Sequence, residues 1–181
     1  MIYVGIGSNL SSKGCSTPYQ TVLSAIEHFP KFGLKVCKQS DWYESEPVPV
    51  SSQPWFINGV VEISSSKGAA SILKTLHLIE DLFGRKRSEV NAARTLDLDL
   101  LDYKGMVVND NLNLILPHPR INKRAFVILP LQDICPEWRS PLTKQKLSEL
   151  VELLPEGQKI KKIRNKRLKT EWKVLTHMML C

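Results

Sequence analysis

The succession of periodic segments predicts a single domain of mixed α/β (α+β) class, a split β-α-β arrangement whose antiparallel-rich sheet carries helices packed on it. Three observations lead there. Segments with the two-residue alternation of strands and segments with helical spacing follow one another in the order β-α-β-β-α-β. Proline and glycine punctuate the joints between them. No internal repeat is visible, and 181 residues suffice for one core, burying about 68 to 70% of the surface an unfolded chain exposes.

Ile2 to Ile6 alternates and runs into Gly7-Ser8-Asn9, a turn cluster that ends a first strand. Thr17-Pro18-Tyr19-Gln20 starts a helix, with Thr as cap, Pro at the first helical position and Gln closing a capping box. Pro30 and Gly33 stop that helix near Phe29, and Leu34 to Tyr43 reads as the second strand. Between Ser45 and Pro54 three prolines remove ladder donors and helical geometry, which makes this stretch a loop. Trp55 to Ile63 is a β-branched and aromatic strand. Ser64-Ser65-Ser66 then offers N-caps to a helix whose Ile72, Leu73, Leu76, Ile79, Leu82 and Phe83 recur at helical spacing, with Gly84 at its C-cap. Arg85 to Arg94 has no period and forms a second loop. Thr95 to Tyr103 is a strand, Lys104-Gly105 a turn and Met106 to Val108 a short return strand. Lys123 to Leu131 is a short helix, and Leu147 to Leu154 is the apolar core of another, capped by Thr143 or Ser140.

The net charge of +7 invites a nucleic-acid reading, so its location matters. Eight Lys and Arg against two Glu lie in residues 156–181, which leaves residues 1–155 nearly neutral. A basic face on the domain, as nucleic-acid binding needs, is therefore not expected, and the K/R-G-F/Y-G/A-F signature of a sheet that stacks RNA bases is absent. The start has no basic n-region and no run approaches ~18 apolar residues, so no membrane span is expected. Cys15, Cys37, Cys135 and Cys181 are widely spaced, with no C-x-x-C pair. Reduced thiols in a cytoplasmic protein fit that usage, and a monomer is the separate expectation.

In Leu96-Asp97-Leu98-Asp99-Leu100 the strand period sends the leucines to one face and both aspartates to the other, about 7 Å apart. Carboxylates so placed can hold or bridge Mg²⁺ through oxygen; a solvated strand face is the plainer alternative. Asp is a poor strand former, and Arg94 stands where phosphate would meet a metal. The loop Gly84-Arg85-Lys86-Arg87-Ser88-Glu89 is either a solvated charged turn or a source of guanidinium forks, with Arg85, Arg87 and Arg94 reaching phosphate oxygens. Neither Gly-x-x-x-x-Gly-Lys-Ser/Thr nor Gly-x-Gly-x-x-Gly occurs, so gripping a nucleotide falls to side chains and metal. His118 and Arg124 flank a proline-punctuated turn and add two contacts for phosphate or ribose, unless His118 is only a structural hydrogen-bonder. Phe56 and Asn58 share a strand face, where an aromatic beside an amide suits a flat heterocycle. Phe126 offers a second stacking slice. Core packing accounts equally for either phenylalanine.

Several blocks together resemble 6-hydroxymethyl-7,8-dihydropterin pyrophosphokinase of folate biosynthesis: Ile6-Gly7-Ser8-Asn9-Leu10, Phe56-Ile57-Asn58 after the Pro-rich loop, Ile79 to Arg87, Arg94 to Leu100, Pro117-His118-Pro119-Arg120 and Arg124 to Leu131. The resemblance covers about residues 2 to 155. It implies a ferredoxin-like fold and transfer of the diphosphate of ATP to the hydroxymethyl group of 6-hydroxymethyl-7,8-dihydropterin, giving AMP and the pterin diphosphate. It further implies Asp97 and Asp99 as ligands of two Mg²⁺ ions and Arg85 and Arg94 as catalytic cations. His77, Glu80, Arg87, Leu100, His118 and Arg124 would bind ATP, and Ser45, Pro47, Val48, Phe56, Asn58 and Phe126 the pterin. Asn91-Ala92-Ala93 stands before Arg94 where the family often has Trp-Gly-Pro, Glu46 where a proline is common, and Asn113 where a basic contact can occur. The expected division is a catalytic domain over 1–155 and a basic extension over 156–181. That extension is either a linker toward a fused dihydropteroate synthase, as in some relatives, or a solvated terminal helix. A binding-only relative without chemistry is the nearest rival, and retention of both aspartates and both arginines speaks against it.

Overall fold

The computed structural model describes residues 1–85, 92–110 and 114–164. Strand β1 (Ile2–Ser8) is buried along its whole length, because it lies between β4 (Phe56–Ser64) and β5 (Asp97–Tyr103), antiparallel to both. Outside β4, one edge is shared by β2 (Lys35–Gln39) and β3 (Tyr43–Ser45), each antiparallel to a different part of it. Helix α1 (Pro18–His28) connects β1 to β2, and α2 (Ala69–Leu82) connects β4 to β5. That is the β-α-β-β-α-β order the periodicities predict, closed into an antiparallel sheet with the strands of each β-α-β unit split by a third.

The pleat sorts the core into two layers. Ile2, Val4, Ile6, Val61, Ile63, Leu98 and Leu100 join Val22, Ile26, Ile72, Leu76 and Ile79 of α1 and α2. On the opposite face Tyr3, Val60 and Leu101 pack with α3 (Ala125–Ile134) and α4 (Leu147–Glu152). The register of β1 against β5 slips between Tyr3 and Val4, which turns both Leu101 and Asp102 toward the α3 layer. Asp97 and Asp99 lie on this second face, opposite Gly7 and Gly5.

Local signals account for several elements. The Thr17 hydroxyl accepts from Gln20 N at 3.1 Å, and the Gln20 amide oxygen accepts from Ser16 N at 2.7 Å, one residue earlier than the reciprocal bond of a capping box. Gly33 and Gly84 end their helices at φ of 72° and 76°. Other expectations need correcting. Leu34 to Tyr43 is not one strand: Ser40 breaks it, its hydroxyl accepting from Val60 N at 3.0 Å, while the Trp42 ring lies against Gly59, where a Cβ would sit 2.8 Å from a ring carbon. The return strand is displaced to β6 (Val108–Asp110), which pairs with β7 (Leu114–Leu116) as a separate hairpin. Helix α2 starts at Gly68 rather than at the serines, and α4 takes Lys146 as its N-cap, with Glu149 Oε2 accepting from Lys146 N at 2.9 Å. The sheet also runs past residue 155, because β8 (Ile160–Lys162) pairs with β3 at the edge. An appendage beginning at residue 156 therefore does not describe residues 156–164, and residues 165–181 lie outside the described part.

Candidate active site

The second face of the sheet, at the end where β5 begins, supplies a cluster of opposite charges. Asp97 is the hub: Oδ1 lies 2.5 Å from Arg85 Nη1 and Oδ2 3.1 Å from Arg94 Nη1. Burial disfavours its charged form, but Arg94 and Arg85 outweigh burial and hold the carboxyl below its ordinary range. Burial likewise opposes the Arg85 charge, and Asp97 and Glu80 overcome it, so this guanidinium titrates above its usual value. Two residues along, Asp99 Oδ2 is 3.2 Å from Arg124 Nη1 and 3.7 Å from His118 Nε2. His118 Nδ1 accepts from Arg120 N at 3.1 Å, which assigns any ring proton to Nε2, toward Asp99. Burial lowers the pKa of His118 despite Asp99, and Arg124 and Arg120 add to the lowering. Arg124 is lowered by burial as well, against the pull of Asp99.

Asn58, on β4 with β1 between it and β5, adjoins this charge cluster. It is 5% exposed, its amide donating to Ser45 Oγ at 2.9 Å. Between the two strands Gly7 pairs with both Asn58 and Asp97, and a Cβ there would meet Asn58 Oδ1 at 3.1 Å. The bare backbone of Gly7 thus leaves the floor open between the amide and the carboxylates. Ser45, Pro47, Val48, Phe56, Asn58 and Phe126 line one cavity together with Arg85, Arg94, Asp97, Asp99 and Arg124. The guanidinium of Arg124 lies 5.2 Å from the centre of the Phe126 ring.

Other candidates take different places. Glu80 is 2% exposed, and its Oε1 accepts from Leu98 N at 2.7 Å and from Arg85, so its carboxylate fixes Arg85 to β5. Leu100 is 4% exposed, with its side chain in the α1–α2 layer. His77 is half-buried on α2 and is not among the cavity's walls. Arg87 and Asn113 lie outside the described residues. Four residues gain roles that residue types alone did not give. Arg120, Glu46 and Pro49 line the cavity; Arg120 stands in the Pro117-His118-Pro119-Arg120 block, which was its only signal. Asn9 acts from behind the site: its side-chain oxygen accepts from Arg94 N at 2.8 Å and its amide donates to Gln53 Oε1 and Pro54 O at 3.2 Å each. It thereby ties Arg94 to the end of the Pro-rich loop.

Among the described residues no group of three His, Cys, Asp or Glu side chains is gathered for a metal. Two carboxylates on one strand face, one of them held ionised, do fit a hard cation that completes its shell with water and phosphate, as Mg²⁺ does. No helix among the described residues is long and apolar enough to cross a membrane.

Comparisons with known proteins bear on the family and the fold. Residues 3–136 match the family model described as 7,8-dihydro-6-hydroxymethylpterin-pyrophosphokinase. A 2-amino-4-hydroxy-6-hydroxymethyldihydropteridine pyrophosphokinase of Methylorubrum extorquens is 34% identical over 136 residues, covering 75% of this chain and 82% of its own. The folic acid synthesis protein fol1 of Pneumocystis carinii is 37% identical over 142 residues, 78% of this chain and 18% of its own. This chain spans about a fifth of the length of such fungal relatives. A crystal structure of Plasmodium falciparum HPPK-DHPS shares the fold at a TM-score of 0.61 and 14% identity, covering 84% of this chain and 43% of that one. With the family model spanning most of its length, the chain belongs to the 7,8-dihydro-6-hydroxymethylpterin-pyrophosphokinase family.

Proposed function

We propose that this chain transfers the diphosphate of ATP to the hydroxymethyl oxygen of 6-hydroxymethyl-7,8-dihydropterin, releasing AMP, within folate biosynthesis. The observation that carries the reading is a single cavity that joins an Arg/Asp cluster to a wall of Phe56, Asn58 and Phe126. The hydroxymethyl oxygen bonds to the β-phosphorus and gives up its proton, and the bond from that phosphorus to the α,β-bridging oxygen breaks. AMP leaves with that oxygen.

Asp97 and Asp99 would hold two Mg²⁺ ions, which supply charge neutralisation on the triphosphate. Arg85 and Arg94, already gathered at Asp97, bring guanidinium forks to the phosphate oxygens, where charge shifts as the diphosphate moves. Arg124 and His118, both at Asp99, are the nucleotide contacts on the other side. Phe56 and Phe126 stack on the pterin, and Asn58, oriented by Ser45, reads its polar edge. Incubation with ATP and the hydroxymethyl pterin tests the reading: AMP and pterin diphosphate are expected in equal amounts, and ADP would replace it with ordinary phosphoryl transfer.

A further inference from the structure

We propose that Gln158 is a positioning residue for the site: its side-chain amide fixes the backbone on both sides of Arg124 and so sets the Arg124–Phe126 wall. Helix α3 begins at Ala125 and has no side-chain cap of its own, since Arg124 occupies the N-cap position. The first N–H groups of a helix need partners from elsewhere. Gln158 supplies one, its Oε1 accepting from Ala125 N at 2.9 Å. The same amide donates through Nε2 to Lys123 O at 3.0 Å and to Pro155 O at 3.4 Å. Lys123 O and Ala125 N flank Arg124 in the chain, so one side chain pins it from both sides.

The residue after Gln158 holds the facing wall. Lys159 O accepts from Glu46 N at 3.0 Å, and Lys159 Nζ lies 3.3 Å from Glu46 Oε1. Glu46 precedes Pro47 and Val48, which line the same cavity. Strand β8 then runs on beside β3, where Ser45 pairs with Ile160. Two consecutive residues therefore join the two walls, and both lie beyond the family-matched residues 3–136.

This inference rests on the proposed function for its kinetic test, and the test separates the two. Gln158→Leu keeps the bulk and removes all three hydrogen bonds. Loss of a helix cap corresponds to about a fivefold change in an equilibrium, so the KM for the pterin is expected to rise about fivefold with kcat nearly constant. Lys161→Ala, in the adjoining strand β8, where Lys161 pairs with half-buried Glu44 and lies over the exposed Trp55 ring, serves as control and should leave KM unchanged. An unchanged KM in Gln158→Leu overturns the proposal; so does a fall in kcat at constant KM, which is what a lower folded fraction alone would give. Amide exchange at Ala125, read by NMR without substrate, is expected to quicken about fivefold in Gln158→Leu. If the wild type fails to convert the pterin, the functional reading falls, and this exchange rate decides whether Gln158 braces the wall: an unchanged rate overturns it.

Discussion

The two ends of β5 carry carboxylates, half-buried at one end and buried at the other, and they differ in what answers the charge. At the C-terminal end Asp102 is 3% exposed and accepts from the Trp138 indole N–H and from Gly105 N, both at 2.8 Å. These donors are neutral and fixed by the fold, and Asp102 is thereby a staple between the sheet and the segment after α3. At the N-terminal end Asp97 and Asp99 meet arginines that arrive on loops and a helix N-terminus, facing a cavity. A guanidinium can leave a carboxylate for a phosphate in a way an indole N–H cannot. The nature of the partner, together with depth of burial, separates the carboxylates that face the cavity from the structural one.

The strongest break in that contrast is Asp97→Ala. It removes the hub of the charge cluster, and turnover is expected to fall on the order of a thousandfold, with calorimetry showing no Mg²⁺ dependence in the binding of a non-hydrolysable ATP analogue. Retained magnesium dependence would refute the metal assignment. Next comes Arg85→Lys, which keeps the charge but loses the geometry by which one guanidinium reaches Glu80, Asp97 and Leu96 O. Steady-state kinetics should show kcat reduced about a hundredfold. Asp102→Ala should do the reverse of both. It strands the Trp138 N–H and is expected to cost about 1 to 3 kcal/mol in urea unfolding, with kcat per folded molecule intact.

The smallest effect concerns another staple. Asp133 Oδ2 accepts from Tyr43 O–H at 3.0 Å, and burial together with Asp133 pushes the phenol up to about 12 from 10.0. The folded state keeps a proton that the unfolded chain gives up. The contribution is thus whole below pH 10 and lost as pH rises toward about 12. Tyr43→Phe should flatten the fall in stability over that window, and an unaltered slope would mean that other groups carry it.

What the sequence reveals and what it hides follow from how far each cause reaches. The Thr17 cap, Gly84 and the shared face of Asp97 and Asp99 depend on residues within a few positions, so pattern alone finds them. The break at Ser40 depends on Trp42 lying across Gly59, a contact between strands, although glycine inside a β-branched strand was a signal of close approach. Asn9 and Glu80 belong to matched blocks, yet their work of holding Arg94 and Arg85 is tertiary. Strand β8 gave least warning. Ile160-Lys161-Lys162 has one apolar residue among lysines, as an edge strand facing water does, and its ion pairs with Glu44, Asp41 and Asp133 join it to residues far away in the chain.

That distance also sets an order of events. Ser45 finds its β8 partner more than a hundred residues later in the chain. A ribosome delivering the chain from its N-terminus exposes β1, β4 and β5 first, and they can pair while β8 is still untranslated. The loop that forms one side of the cavity gains its last strand only when Ile160 emerges, so under the proposed function substrate affinity is expected to lag behind formation of the sheet during synthesis.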